Sequence, residues 1–261
     1  MNTITSTDGT KIAYHAQGEG PAVILVDGAL STRHGKQDLA QLLASRFTVY
    51  GYNRRGRVDS GDTRPYAVAR EIEDLETLID EAGGSACLYG HSSGACLALE
   101  AAAQLGGKVR KLAMYEAPYN DDPAVVRPWA TYIARLTEAL ADGRRGDAVA
   151  LFMRYVGMPD EQIAGMRQAP FWAGLEAIAP TLAYDHTGII GPDIAVPATR
   201  AARILTPTLV MAGGAGAPFM RVTAETLNKA MPQAELRVLD GQTHEVSAAV
   251  LAPVLAEFFA S

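Results

Sequence analysis

Gly90-His91-Ser92-Ser93-Gly94 sets a serine between glycines two residues before and two after it. The apolar run Ser85 to Tyr89 precedes these five residues and the helix-like stretch Ala95 to Leu105 follows them, so the segment reads as strand, tight turn and helix. Glycines at 90 and 94 let the turn hold a strained backbone, and the Ser92 hydroxyl then projects from the sheet edge over a helix N-terminus. A hydroxyl so placed is a nucleophile for a carbonyl carbon, provided that a base takes its proton and N–H groups receive the developing oxyanion. Five histidines are available as bases: His15, His34, His91, His186 and His244.

The elements that must position these groups alternate. Thr10 to Ala16 switches between apolar and polar residues as an antiparallel strand does, and Ala22 to Val26 is a continuous apolar run suited to a strand buried on both faces. A helix from about residue 37 to 45, a strand over Phe47 to Tyr52, an acid-rich amphipathic helix over Ala67 to Glu81 and the strand Ser85 to Tyr89 follow. Lys111 to Tyr115, Thr208 to Ala212 and Glu235 to Leu239 are further strands, and Val246 to Phe259 is a terminal helix. The alternation predicts an α/β fold with a mostly parallel sheet, helices on both faces and ligands at the carboxyl ends of the strands. Between Asn120 and Arg203 the strand rhythm stops and three helical stretches follow, over Ala124 to Ala141, Asp147 to Val156 and Glu161 to Ala179.

On these features the chain resembles the α/β-hydrolase family from its first hairpin to its last helix, with Ser92 on the nucleophile elbow. The resemblance implies that His244, in the loop Asp240 to Glu245 before the terminal helix, is the general base. The commonest family layout puts an acid just after the strand Thr208 to Ala212, but Gly213 to Pro218 contains no Asp or Glu. Some members take the acid from the end of the preceding strand, which makes Glu116 the first candidate, with Asp185 second and Asp240 third. Ser93 and Ala29 are implied as the oxyanion N–H donors, with Gly28 allowing close backbone approach. Asp27 departs from the His-Gly pair usual at this turn; it is expected to face away and bond loop N–H groups, with the arginines of Asn53 to Ser60 near enough to hold it.

The insertion 120–203 resembles a helical cap, with residues 1–119 and 204–261 as the hydrolase core. Gly28, His91, Trp172 and Tyr184 are the expected substrate-binding residues, and Met153, Met158, Met166, Phe171 and Leu182 add an apolar supply for the pocket. The resulting expectation is a cofactor-free serine hydrolase, with no metal, acting on an ester, thioester or lactone of a small to medium organic molecule. Acyl transfer, cyclisation or lyase chemistry on the same residues is one alternative, and a non-catalytic small-molecule-binding protein is another.

Composition narrows the classes. A hydrophobic fraction of 48% over 261 residues supplies one sizeable core, and a formal charge of -6 with no basic patch gives no case for a nucleic-acid partner. No apolar run reaches the ~18 residues of a spanning helix and Met1 to Thr10 lacks the pattern of a signal peptide, so no membrane partner and a cytoplasmic location are expected. Cys87 and Cys96, in the central strand and the helix after it, read as small buried packing residues. Nothing in the sequence indicates the oligomeric state.

Overall fold

The computed structural model describes residues 1–261. The chain runs β1 (Asn2–Thr5), β2 (Lys11–Gln17), β3 (Ala22–Val26), α1 (Gln37–Leu43), β4 (Thr48–Tyr52), α2 (Val68–Glu81), β5 (Ala86–His91), α3 (Ser93–Leu105) and β6 (Val109–Tyr115). A helical segment follows: α4 (Pro123–Ala141), α5 (Arg145–Tyr155), α6 (Asp160–Arg167), α7 (Trp172–Ile178), the single turn α8 (Thr181–Ala183), a π-helical stretch (Tyr184–Ile190) and the short α9 (Ala198–Ala201). The chain then returns to the sheet through β7 (Thr208–Gly213), α10 (Pro218–Ala230), β8 (Ala234–Leu239) and α11 (Ala248–Ala260).

All eight strands form one sheet in the order β1-β2-β4-β3-β5-β6-β7-β8. β2 runs antiparallel to both its neighbours, β1 and β4, and every other pairing is parallel, so the hairpin closes one edge of an otherwise parallel sheet. Strand periodicity divides the buried side chains between two cores. Ile24, Val26 and Leu88 join α2, α3 and α10 on one face, while Val23, Leu25, Cys87 and Tyr89 join α1 and α11 on the other. Helices on both faces explain why β5 and β7 are buried at every residue and read as unbroken apolar runs.

The chain adds β1 within a segment whose sequence is too polar and short to read as a strand; it exists because Asn2 to Thr5 pairs with Lys11 to Tyr14. The expected helix over Glu161 to Ala179 is two helices, broken at residues 168–171 around Pro170. The helical segment owns a small cluster of Val149, Ala150, Met153, Ile163, Trp172 and Ala179, but Trp129, Tyr132 and Leu136 of α4 belong to the main core. No helix is long and apolar enough to cross a membrane.

Candidate functional site

Ser92 lies between β5 and α3 with φ 57° and ψ −131°, a region that disfavours an L side chain. Such a residue costs roughly 1–3 kcal/mol and persists only where its surroundings enforce it. Here the close packing of backbone enforces it: a Cβ at position 90 would strike Ala95, and one at 94 would strike the Val26 and Asp27 carbonyls. The turn is thus clamped against the end of β3, and Ser92 Oγ is left without a protein hydrogen-bond partner in a cavity of about 750 Å³.

His244 lines the same cavity. Its Nδ1 lies 2.7 Å from Glu116 Oε2, and the Glu116 carboxylate is buried at the end of β6. Glu116 Oε1 accepts the Gly213 N–H at 2.8 Å, so the loop that contains no acid holds the acid supplied by its neighbour. Close packing continues along that loop, since a Cβ at Gly216 would sit 2.8 Å from the same oxygen. The carboxylate keeps the imidazole proton on Nδ1 and leaves Nε2 free to accept one.

The loop bearing His244 is tied down by its carbonyls. Tyr115 Oη donates to the Thr243 carbonyl at 2.5 Å, and His91 Nε2 donates to the His244 carbonyl at 2.9 Å. A carbonyl only accepts, so His91 carries its proton on Nε2; burial, together with the nearby Lys36 and His244, keeps the ring neutral by pushing its pKa well below the ordinary 6.5. Its ring also packs against His244 with centroids 4.7 Å apart. His91 therefore lines the cavity and holds the loop that bears His244 at once.

Gly28, Ala29 and Ser93 face Ser92 at the mouth of β3. Gly28 is in close approach, with a would-be Cβ 2.9 Å from Ser92 Cβ. The Ala29 N–H donates to no protein acceptor, and the Ser93 N–H opens α3, where the first amides of a helix have no intrahelical partner. Arg57 Nη1 donates to the Gly28 carbonyl at 2.6 Å and the Ser31 carbonyl at 3.0 Å, and Arg54 Nη1 to the Asp27 carbonyl at 3.2 Å. With its carbonyls held by arginines, the loop keeps its amides turned the other way.

A match to the model of the alpha/beta hydrolase family runs over residues 28–255. The chain belongs to the alpha/beta hydrolase family. An alpha/beta hydrolase from Sphaerobacter thermophilus DSM 20745 has a similar structure, with 50% identity over 99% of this chain and 100% of that one and a TM-score of 0.87. The enol-lactonase from Burkholderia xenovorans LB400 shares the fold at 20% identity, with both chains fully covered and a TM-score of 0.73. The uncharacterized hydrolase YraK of Bacillus subtilis (strain 168) is 30% identical over 103 residues, a match that spans 38% of each protein.

In this alpha/beta hydrolase the other candidate acids have different partners. Asp185, in the π-helical stretch, accepts Arg54 at 2.6 Å, Arg57 at 2.7 Å and Ser93 Oγ at 2.8 Å. Burial raises its pKa, but the two guanidinium groups outweigh burial and hold it at about 2. Asp240 is exposed and bonds nothing. Asp27 corrects an expectation, because no arginine or loop N–H holds its buried carboxyl and Oδ1 has no partner. The guanidinium forks are occupied by Asp185 and, on Arg54, by Glu71 at 2.7 Å on both nitrogens. Burial pushes Asp27 up to about 6, against the weaker pull of Lys36, Arg57 and Arg54.

Trp172 and Tyr184 lie outside the cavity lining, as do the five apolar residues expected with them. Trp172 packs in the outer helical cluster and its indole N–H donates to Glu176, one turn on, at 2.8 Å. Tyr184 stacks flat on Tyr66 at 3.7 Å and donates to Asp62, which fastens the helical segment to the loop before α2. The wall instead includes Val125, Pro128 and Trp129 on α4, Phe152 and Tyr155 on α5 and Val156 just after it. Both sets have i, i+3, i+4 spacing, and that repeat was the available signal. Met153, one residue on from Phe152 and so turned about 100° around α5, packs in the outer helical cluster instead.

Proposed function

We propose that the protein is a serine hydrolase cleaving an ester, thioester or lactone of a small to medium organic molecule through an acyl-enzyme on Ser92. The observation that carries this reading is the buried Glu116 carboxylate 2.7 Å from His244 Nδ1, with His244 and an unpartnered Ser92 lining one cavity. Ser92 Oγ attacks the carbonyl carbon as His244 Nε2 takes its proton. The ester C–O bond breaks, and the departing oxygen receives that proton from His244. Water, deprotonated by His244, then attacks the acyl carbon; the Ser92 ester bond breaks, and Oγ regains its proton. Glu116 holds the ring and stabilises the imidazolium in each half-reaction.

The Ala29 and Ser93 N–H groups receive the oxyanion in both tetrahedral intermediates, each contributing about 3 kcal/mol of transition-state stabilisation. Residues 120–203 act as a cap whose inner face sets access to the serine. A fluorophosphonate probe with a small uncharged alkyl group tests the assignment, since it should modify Ser92 alone and the Ser92→Ala protein not at all. Labelling elsewhere, or turnover by Ser92→Ala near that of the parent protein, contradicts it.

A further inference from the structure

The wall of the cavity restricts which ester the site takes. No Lys or Arg side chain lines it, and its two charged lining groups are acids: Glu116, committed to His244 and the Gly213 N–H, and Glu245, exposed. Arg54 and Arg57 lie outside the lining, and their charges are balanced by Asp185 and Glu71, although the buried Arg57 Nε has no partner. A substrate carboxylate entering here would lose water without meeting a free cation, which is costly in a low-dielectric site. Phe152 and Tyr155 line the wall with Trp129, itself almost fully buried against Tyr155 and His186, and Val156 extends the apolar lining to an exposed surface.

One polar group is set into this wall. His186, from the π-helical stretch, packs on Phe152 at 5.1 Å and edge-on to Trp129 at 5.6 Å, with Nδ1 2.9 Å from Tyr132 Oη. Tyr132 Oη has no other partner, so the arrangement that leaves no buried hydroxyl proton unpaired has it donating to Nδ1. Nε2 then carries the ring hydrogen, and no protein group accepts it. Burial and the adjacent arginines outweigh Asp185 and lower the pKa of His186 to about 4, so the ring is a neutral donor at physiological pH.

We infer that the site takes uncharged esters or lactones whose aromatic or compact apolar portion fills the Trp129–Phe152–Tyr155 wall and whose second oxygen acceptor bonds His186 Nε2–H, and that it rejects carboxylate analogues of the same size. This specificity rests on the serine-hydrolase reading.

The test compares matched aryl esters that differ only in a remote methyl ketone, carboxylate or ethyl group, placed on the acyl side in one series and on the alcohol side in another. The expected result is a kcat/KM for the ketone at least about a hundredfold above that for the carboxylate in at least one series. In that series His186→Phe should lower the ketone's kcat/KM by about five- to tenfold, mainly through KM, and leave the ethyl compound unchanged. Tyr132→Phe, which leaves the wall in place but frees the ring's tautomer, should weaken the same preference. Carboxylates equal to or better than ketones in both series overturn the inference, as do equal losses on ketone and ethyl compounds in both variants. Fluorophosphonate labelling of Ser92 separates the two levels: labelling with carboxylate preference refutes the specificity alone, whereas absence of labelling refutes the underlying mechanism as well.

Discussion

The acid on β6 gives the sharpest prediction at the scale of single residues. Glu116→Gln keeps a hydrogen-bonding group beside His244 but presents an amide where a carboxylate fixed the tautomer, so kcat should fall about 10²–10⁴-fold with KM little changed. Steady-state kinetics on one ester, with thermal unfolding as a control for folding, checks this. Asp27 yields a separate prediction in pH. Its folded pKa of about 6 lies above its ordinary 3.8, so the folded state holds the extra proton between those values and stability falls as pH rises through the window. The full difference is about 3 kcal/mol. His91 and His186, both lowered, act in the opposite sense and lose stability as pH drops below 6.5, so the wild-type curve alone mixes the terms. The difference in unfolding free energy between Asp27→Asn and wild type should therefore rise by about 2 kcal/mol in favour of the variant from pH 4 to pH 7. A difference that stays flat with pH would contradict the account of Asp27 as an unpaired buried acid.

Between elements, the contacts of Asp185 join three parts of the molecule: the π-helical stretch that carries it, the loop after β4 through Arg54 and Arg57, and the start of α3 through Ser93. Removing its charge leaves two buried guanidinium groups short of a partner, which should cost about 3–5 kcal/mol in denaturant unfolding. Because the same arginines hold the carbonyls of Gly28 and Asp27, Asp185→Asn should also lower kcat, but less than Glu116→Gln. Trp172 and Phe152 divide the labour of the segment. Trp172→Ala should cost about 3–5 kcal/mol of stability and leave preference among esters unchanged, because the indole packs α5 and α7 together away from the cavity. Phe152→Ala should shift preference toward bulkier acyl or alcohol groups, measured as ratios of kcat/KM across a size series. The sequence could not separate these roles, since helical spacing shows that a face is apolar but not whether it meets a neighbouring helix or a ligand.

Over the whole molecule, what was legible in the chain follows from how local each determinant is. The turn at Ser92 announces itself because glycines at 90 and 94 fall at a fixed short spacing around the serine, although only Gly90 answers a local backbone contact and Gly94 answers the end of β3, and β5 and β7 announce themselves by continuous burial. The juxtaposition of Glu116 and His244 across 128 residues was readable only through the missing acid between Gly213 and Pro218, which left the end of β6 as the nearest supply. Neither the partners of Asp185 nor the lack of one at Asp27 was readable, because which carboxylate captures a given arginine is decided by the packing of a helical segment over the sheet. Hydrolysis through Ser92 requires a covalent acyl group on its Oγ. Rapid acid quench during turnover of a slowly deacylating aryl ester, followed by mass spectrometry of the digested protein, tests it directly. The acyl mass should appear on the peptide containing Ser92, accumulate in a burst and be absent from Ser92→Ala; turnover with no adduct, or an adduct on any other residue, would contradict an acyl-enzyme on Ser92.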